Sequence, residues 1–201
     1  MVRMGWMLVG VLLSAVVACD GTPSPDPSGT PSGQVATTAA PTDSAAPPLR
    51  LPTVAPGGAC PVTEPQPWPH PDQASRVLGP GPLYPVADYF RDGVLELRAM
   101  DRQQDGTYTK KVRWIGSGYA GPVLVRAARI DGPGPAGAEF AYLGESRDGG
   151  HHALLVRPEN DLPATTMVGG PGCYAYQVDG TTFSVTVVFR AALETTSDPS
   201  S

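Results

Sequence analysis

"TTFSVTVVFR", residues 181–190, decides the fold. Phe183, Val185, Val187 and Phe189 alternate with Thr182, Ser184 and Thr186, and Val188 is the one exception. Period two belongs to a strand with one buried face, whereas a helix would repeat its apolar residues every 3.6 positions. The preceding "CYAYQVDG", residues 173–180, reads as the partner strand. Asp179-Gly180 is the expected turn between them, because a tight primed turn needs residues that tolerate positive φ.

Further out, Asp-Gly pairs recur at 92, 105, 131 and 148. Strands are predicted between them over 83–87, 94–99, 107–115, 122–130, 138–143, 152–157 and 165–168. No amphipathic helix of ten residues is evident; 72–78 suits one helical turn or two. Many short strands divided by turn residues predict an all-β fold, a single β-sandwich that is immunoglobulin-like in general architecture. It occupies residues 58–193, about 135 residues and a normal size for one domain. Cys173 opens the penultimate strand, and no tryptophan stands where an antibody domain would have one.

The chain begins with an export signal over residues 1–18. Arg3 supplies the positive end, and residues 6–18 form an apolar run of about 20 Å as a helix. That is short of the ~30 Å hydrocarbon core, so a membrane span is the weaker reading. "VVAC" at 16–19 resembles the bacterial lipobox, which implies a diacylglycerol on the sulfur of Cys19 and a lipid anchor on the extracytoplasmic face of the cell membrane. Ordinary cleavage after Ala18 is the alternative, since Val and Ala also suit that enzyme. The chain has three cysteines, an odd number for an exported protein. With Cys19 lipidated, Cys60 and Cys173 remain, and outside the cytoplasm they most simply form a disulfide. Two buried free thiols are the other possibility.

Residues 19–57 are rich in Pro, Ser, Thr and Ala and contain no aromatic residue. Such a composition does not offset its ordering entropy, and a disordered linker is expected. It would span roughly 35 Å on average. A disordered tail is expected over 194–201. The net charge of −5 comes with no basic cluster, which argues against a nucleic-acid partner.

"ACPVTEP" at 59–65 and "GGPGCYAYQVDGTTFSVTVVFRA" at 169–191 resemble the ends of a group of uncharacterised exported lipoproteins from high-GC Gram-positive bacteria; "LVRAARIDGPGP" at 124–135 resembles their middle segment. The resemblance implies a Cys60–Cys173 pairing and an envelope address. It carries no activity.

No catalytic set emerges. Ser146 in "GESRD" lacks the last glycine of a nucleophile elbow, and "DGG" after it reads as a turn. His151 and His152 are neighbours on a strand, so they point to opposite faces and cannot easily share an ion; exposed histidines are expected. "DRQQDG" at 101–106 starts like a calcium loop, but position 12 is Val112 where a glutamate is due. No metal and no cofactor are expected. The acidic residues are scattered, mostly in turns. The remaining candidate is a binding face. Trp114 and Tyr119 flank a glycine-rich, uncharged turn, and Trp68 lies in the proline-stiffened "PQPWPHP" at 65–71. Aromatic residues near loops suit sugar stacking or protein contacts. The competing reading has Trp114 capping the core and Trp68 packing on a sheet edge. The functional expectation is a non-enzymatic, lipid-anchored binding module with an envelope protein or glycan as partner. A structural spacer without a ligand is the alternative, and a hydrolase with an unrecognised carboxylate pair is the second.

Overall fold

The computed structural model describes residues 46–195. The signal segment, Cys19, the linker up to residue 45 and the tail from 196 lie outside the described residues.

Twelve strands follow in order: β1 (Pro65–Pro67), β2 (Arg76–Leu78), β3 (Leu83–Pro85), β4 (Val94–Leu97), β5 (Tyr108–Gly116), β6 (Gly121–Arg129), β7 (Ala136–Phe140), β8 (Glu145–Arg147), β9 (Gly150–Leu155), β10 (Asn160–Val168), β11 (Gly172–Gly180) and β12 (Ser184–Leu193). A four-stranded sheet has the order β3-β5-β10-β7, and a six-stranded sheet has the order β4-β12-β11-β6-β9-β8. β1 and β2 form a separate ribbon. All pairings are antiparallel except β4 with β12. The sheets face each other as a sandwich, as the strand pattern predicts. Residues 72–78 form a turn and the short strand β2 rather than a helical segment.

The core lies between the inner faces. Val112, Trp114, Phe140 and Leu162 come from the smaller sheet; Val125, Tyr174, Tyr176, Val187 and Phe189 come from the larger. Aromatic rings knit the two together. Trp114 meets Tyr176 edge-on at 5.0 Å and Phe140 at 5.9 Å between centroids. Such pairs add to the burial of apolar area.

Val188 is buried although it points away from this core, because the N-terminal arm covers the outer face of the six-stranded sheet. Leu51, Val54 and Cys60 pack there on Ile130, Cys173, Ala175 and Val188. The Val54 amide donates to the Ile130 carbonyl at 2.8 Å, and the Thr63 amide to the Val188 carbonyl at 2.9 Å. Gln177 fastens the arm further along. It accepts from the Arg50 amide at 2.6 Å and donates to the Pro48 carbonyl at 3.1 Å. Cys60 is bonded to Cys173, with Cα atoms 5.5 Å apart. Ordered contacts therefore begin about ten residues before the expected domain start at 58. They also run past 193, since the Glu194 amide donates to the Leu97 carbonyl and its carboxylate meets Arg98 at 3.1 Å.

The closing hairpin turns later than expected. Asp179 pairs with Ser184, and the Gly180 amide donates to the Phe183 carbonyl, so Thr181-Thr182 make the bend. Asp179 stays in the ladder because Arg126 on the adjacent strand binds it at 2.6 Å, with Gln177 and Ser184 also donating to it. Two other Asp-Gly pairs do form turns with both φ positive: Asp92-Gly93 at 49° and 75°, and Asp148-Gly149 at 54° and 72°. The second links β8 to β9.

Candidate functional site

β5 and β10 run antiparallel, with Asn160 opposite Gly116 and Asp161 opposite Ile115. Alternation sends Trp114 and Leu162 inward, so Arg113 and Asp161 stand on the outer face of the smaller sheet. They form a two-pronged ion pair: Nε and Nη2 of Arg113 donate to the Asp161 carboxylate at 2.6 and 2.9 Å. The third arm of the guanidinium, Nη1, donates to the Gln73 carbonyl. Arg113 is held further into its charged form, first by the hydrogen bond to Asp161, against the opposing effect of burial.

This pair floors a cleft of about 340 Å³. Trp68, which follows the β1 segment, forms one wall, with its indole N–H donating to Gln73 Oε1 at 3.0 Å. The ring is half-buried. It packs edge-on against Tyr84 at 5.1 Å, above Ile115 and Val86. His70 stands 6.2 Å from it, also edge-on. The opposite lip comes from the β9–β10 connection, where Arg157 and Glu159 are exposed and Asn160 donates to the Arg157 carbonyl at 2.6 Å. Ser117 and Gly116 close the end at the β5–β6 turn. The cleft is open, aromatic on one side and polar on the others. It has the groups to orient a small polar ring.

The sequence-predicted binding residues separate. Trp114 is 0% exposed and sits in the middle of the core, so it offers a ligand nothing. The expectation of a Trp114–Tyr119 face is corrected: β5 extends through Gly116, and alternation turns Trp114 inward. Tyr119 is half-buried and works as a brace. Its hydroxyl donates to the Pro122 carbonyl at 2.8 Å and accepts from the Thr181 amide at 3.2 Å, while its ring meets Phe183 edge-on at 5.0 Å. Only Trp68 lines a cleft. Arg113 and Asp161 were not legible as a pair, because they are 48 residues apart and meet only when β5 and β10 align.

His151 is 4% exposed rather than open to solvent. Its Nε2 lies 2.7 Å from the Leu143 carbonyl, which only accepts, so Nε2 carries a proton. Nδ1 lies 3.3 Å from Ser146 Oγ, and that hydroxyl donates to Glu139 Oε1 at 2.7 Å. The three residues latch β7 to the β8–β9 hairpin across the open side of the sandwich. The set resembles a catalytic serine only in composition. The hydroxyl's one proton is directed at Glu139 rather than at the His151 nitrogen that would have to take it, so the serine is not aligned for activation by that ring. The calcium-like loop is likewise occupied by its own chain: Asp101 pairs with Lys110 and accepts from the Arg98 amide, while Asp105 accepts from Thr107. Among the described residues no group of three His, Cys, Asp or Glu side chains is arranged to hold a metal ion, and no helix is long and apolar enough to cross a membrane.

Comparisons with protein-family models, curated proteins and solved structures return no match.

Proposed function

We propose that the chain is a lipid-anchored, extracytoplasmic binding module of the cell envelope, and that it holds a saccharide against Trp68. One observation carries the reading: a half-buried indole whose own N–H is already satisfied by Gln73 forms the wall of an open polar cleft. A ring held this way presents an apolar surface at fixed orientation and little entropic cost, which suits the C–H face of a pyranose. The fixed Arg113–Asp161 pair keeps the floor rigid. The address rests on the Arg3-led apolar segment and on Cys19.

The test is saturation-transfer NMR with the full mature chain and short envelope glycans, comparing native protein with Trp68→Ala and Trp68→Phe. Signal from the native protein, weakened in Phe and lost in Ala, supports the reading. No transfer to any glycan from native protein refutes it and leaves the spacer role. For the address, radiolabelled palmitate is expected to enter the native chain and not a Cys19→Ser variant. Labelling that survives the substitution removes the anchor.

A further inference from the structure

Several charged and polar groups of the Trp68 cleft are already engaged, while the side chains of His70 and Ser117 make no hydrogen bond among the described residues. Both carboxylate oxygens of Asp161 accept from Arg113, whose third nitrogen donates to the Gln73 carbonyl. The indole N–H of Trp68 and the amide N–H₂ of Asn160 are also in use. The Trp68 N–H is fully used, while Arg113, Asp161 and Asn160 are held in place by these contacts and each keeps a further donor or lone pair.

Two side chains on the lip differ. Arg157 and Glu159 both line the cleft, and among the described residues neither has a salt bridge or a side-chain hydrogen bond, including to the other. Elsewhere on this surface opposite charges at that spacing do close on each other: Arg147 meets Glu145 at 3.0 Å, and Arg129 meets Asp131 at 2.6 Å. The proline between Arg157 and Glu159 fixes its own φ and restricts Arg157 toward extended backbone, which limits how the two side chains can approach. The lip therefore offers one free cation and one free anion beside an aromatic wall.

We infer that the cleft is built for a zwitterionic sugar, one ring bearing both a carboxylate for Arg157 and an ammonium for Glu159. The inference rests on the saccharide reading of the cleft. A guanidinium takes a carboxylate through two parallel N–H donors, and a carboxylate accepts from an ammonium; each contact is charge-assisted. Both groups are exposed, so each matched charge adds only about two- to fivefold in affinity. A neutral sugar keeps the stacking and loses both increments.

The experiment uses four sugars of similar ring size with the full mature chain at low salt. Muramic acid carries both charges, N-acetylmuramic acid only the carboxylate, glucosamine only the ammonium and N-acetylglucosamine neither. The expected order of affinity is muramic acid first, the two singly charged sugars next and the neutral sugar last. Arg157→Gln should erase the advantage of the carboxylate alone, and Glu159→Gln that of the ammonium alone. Both side chains are exposed, so the fold is expected to survive, as circular dichroism would verify. Equal affinity for all four sugars overturns the inference and leaves the saccharide reading standing. So does a charge preference untouched by either substitution. Binding of none of the four overturns the saccharide reading and the inference with it.

Discussion

Replacing Trp114 by alanine should damage the fold rather than a binding face. The side chain is wholly buried and shares edge contacts with Tyr176 and Phe140. Truncating a buried tryptophan removes its transfer free energy and leaves a cavity, at a cost of about 3–5 kcal/mol. Domains of this kind are stable by ~5–15 kcal/mol, so the variant should fold with much of its margin gone. In urea the midpoint should fall by about 2 M for a typical slope, with the slope unchanged. Phenylalanine at the same place makes the sharper comparison. It fills much of the space and deletes the indole N–H, which lies buried without a hydrogen-bond partner. A lost partner of that kind costs about 1–3 kcal/mol. The smaller cavity and the relieved N–H oppose each other, so Trp114→Phe should stay within about 1.5 kcal/mol of native. A loss below about 1 kcal/mol for Trp114→Ala would refute the placement of this residue in the core. So would a Phe variant as damaged as the alanine one.

Loss of the Cys60–Cys173 bond, by Ala at both positions, should cost about 4.7 kcal/mol if the chain-entropy account holds for a loop of this length; urea unfolding with and without reductant measures it, and overlapping curves would count against it. Arg126→Ala strands Asp179 in a site where the two side chains are 9% and 4% exposed, at an expected cost of about 3–5 kcal/mol; replacing both by apolar residues should cost clearly less, and equal losses would show that charge is not the cause. Acid should weaken the domain through Asp101 and Asp131. Burial alone would push both carboxyl groups up, but Lys110 and the Arg98 amide hold Asp101 below its ordinary value, and Arg129 and the Cys173 amide do the same for Asp131. Because the folded values are depressed, the stabilisation is complete above the ordinary aspartate value near 3.9 and disappears as pH falls through the lower folded values. Unfolding free energy should therefore decline below about pH 4, and Asp101→Asn with Asp131→Asn should flatten that decline; an unchanged slope in the double variant would refute it.

The strand pattern was legible because it is local. Alternation over 183–189 and the recurring Asp-Gly pairs need no partner to be read, and the predicted strands fall on observed ones with ends shifted by a few residues. What failed depends on contacts between distant parts. Val188 breaks the alternation because Leu51 and Val54 cover it, and nothing near residue 188 announces them. Asp179 leaves the turn because Arg126, 53 residues away, holds it in the ladder. Trp114 stands near the end of a predicted strand beside a glycine-rich turn, and which of its two faces is covered depends on the opposite sheet, which nothing next to residue 114 announces. The cleft was half legible. Trp68 stood out by type, and its floor did not, because Arg113 and Asp161 become neighbours only through the β5–β10 register.

The arm explains how a short ribbon can hold the Trp68 wall of the cleft in place. In chain order, residues 48–54 bind the outer face of the large sheet, Cys60 bonds Cys173, Thr63 pairs with Val188, and only then do β1 and Trp68 follow. β1 and β2 are three residues each, far below what an isolated two-stranded ribbon needs to be stable in water. Their position is held from both sides: by the clamp before them, and by Ile115 and Val86 beneath. Any pull arriving along the chain from residue 46 meets the covalent bond at Cys60 before it reaches Trp68. That load passes to β11, which is paired on both sides in the six-stranded sheet. For the tethered binding module proposed above this separation matters, because a wall that moved with its tether would lose its geometry whenever the tether was drawn tight. In the anchored form proposed above, the disulfide serves two ends at once, stabilising the sandwich and separating the cleft from the segment that precedes Cys60.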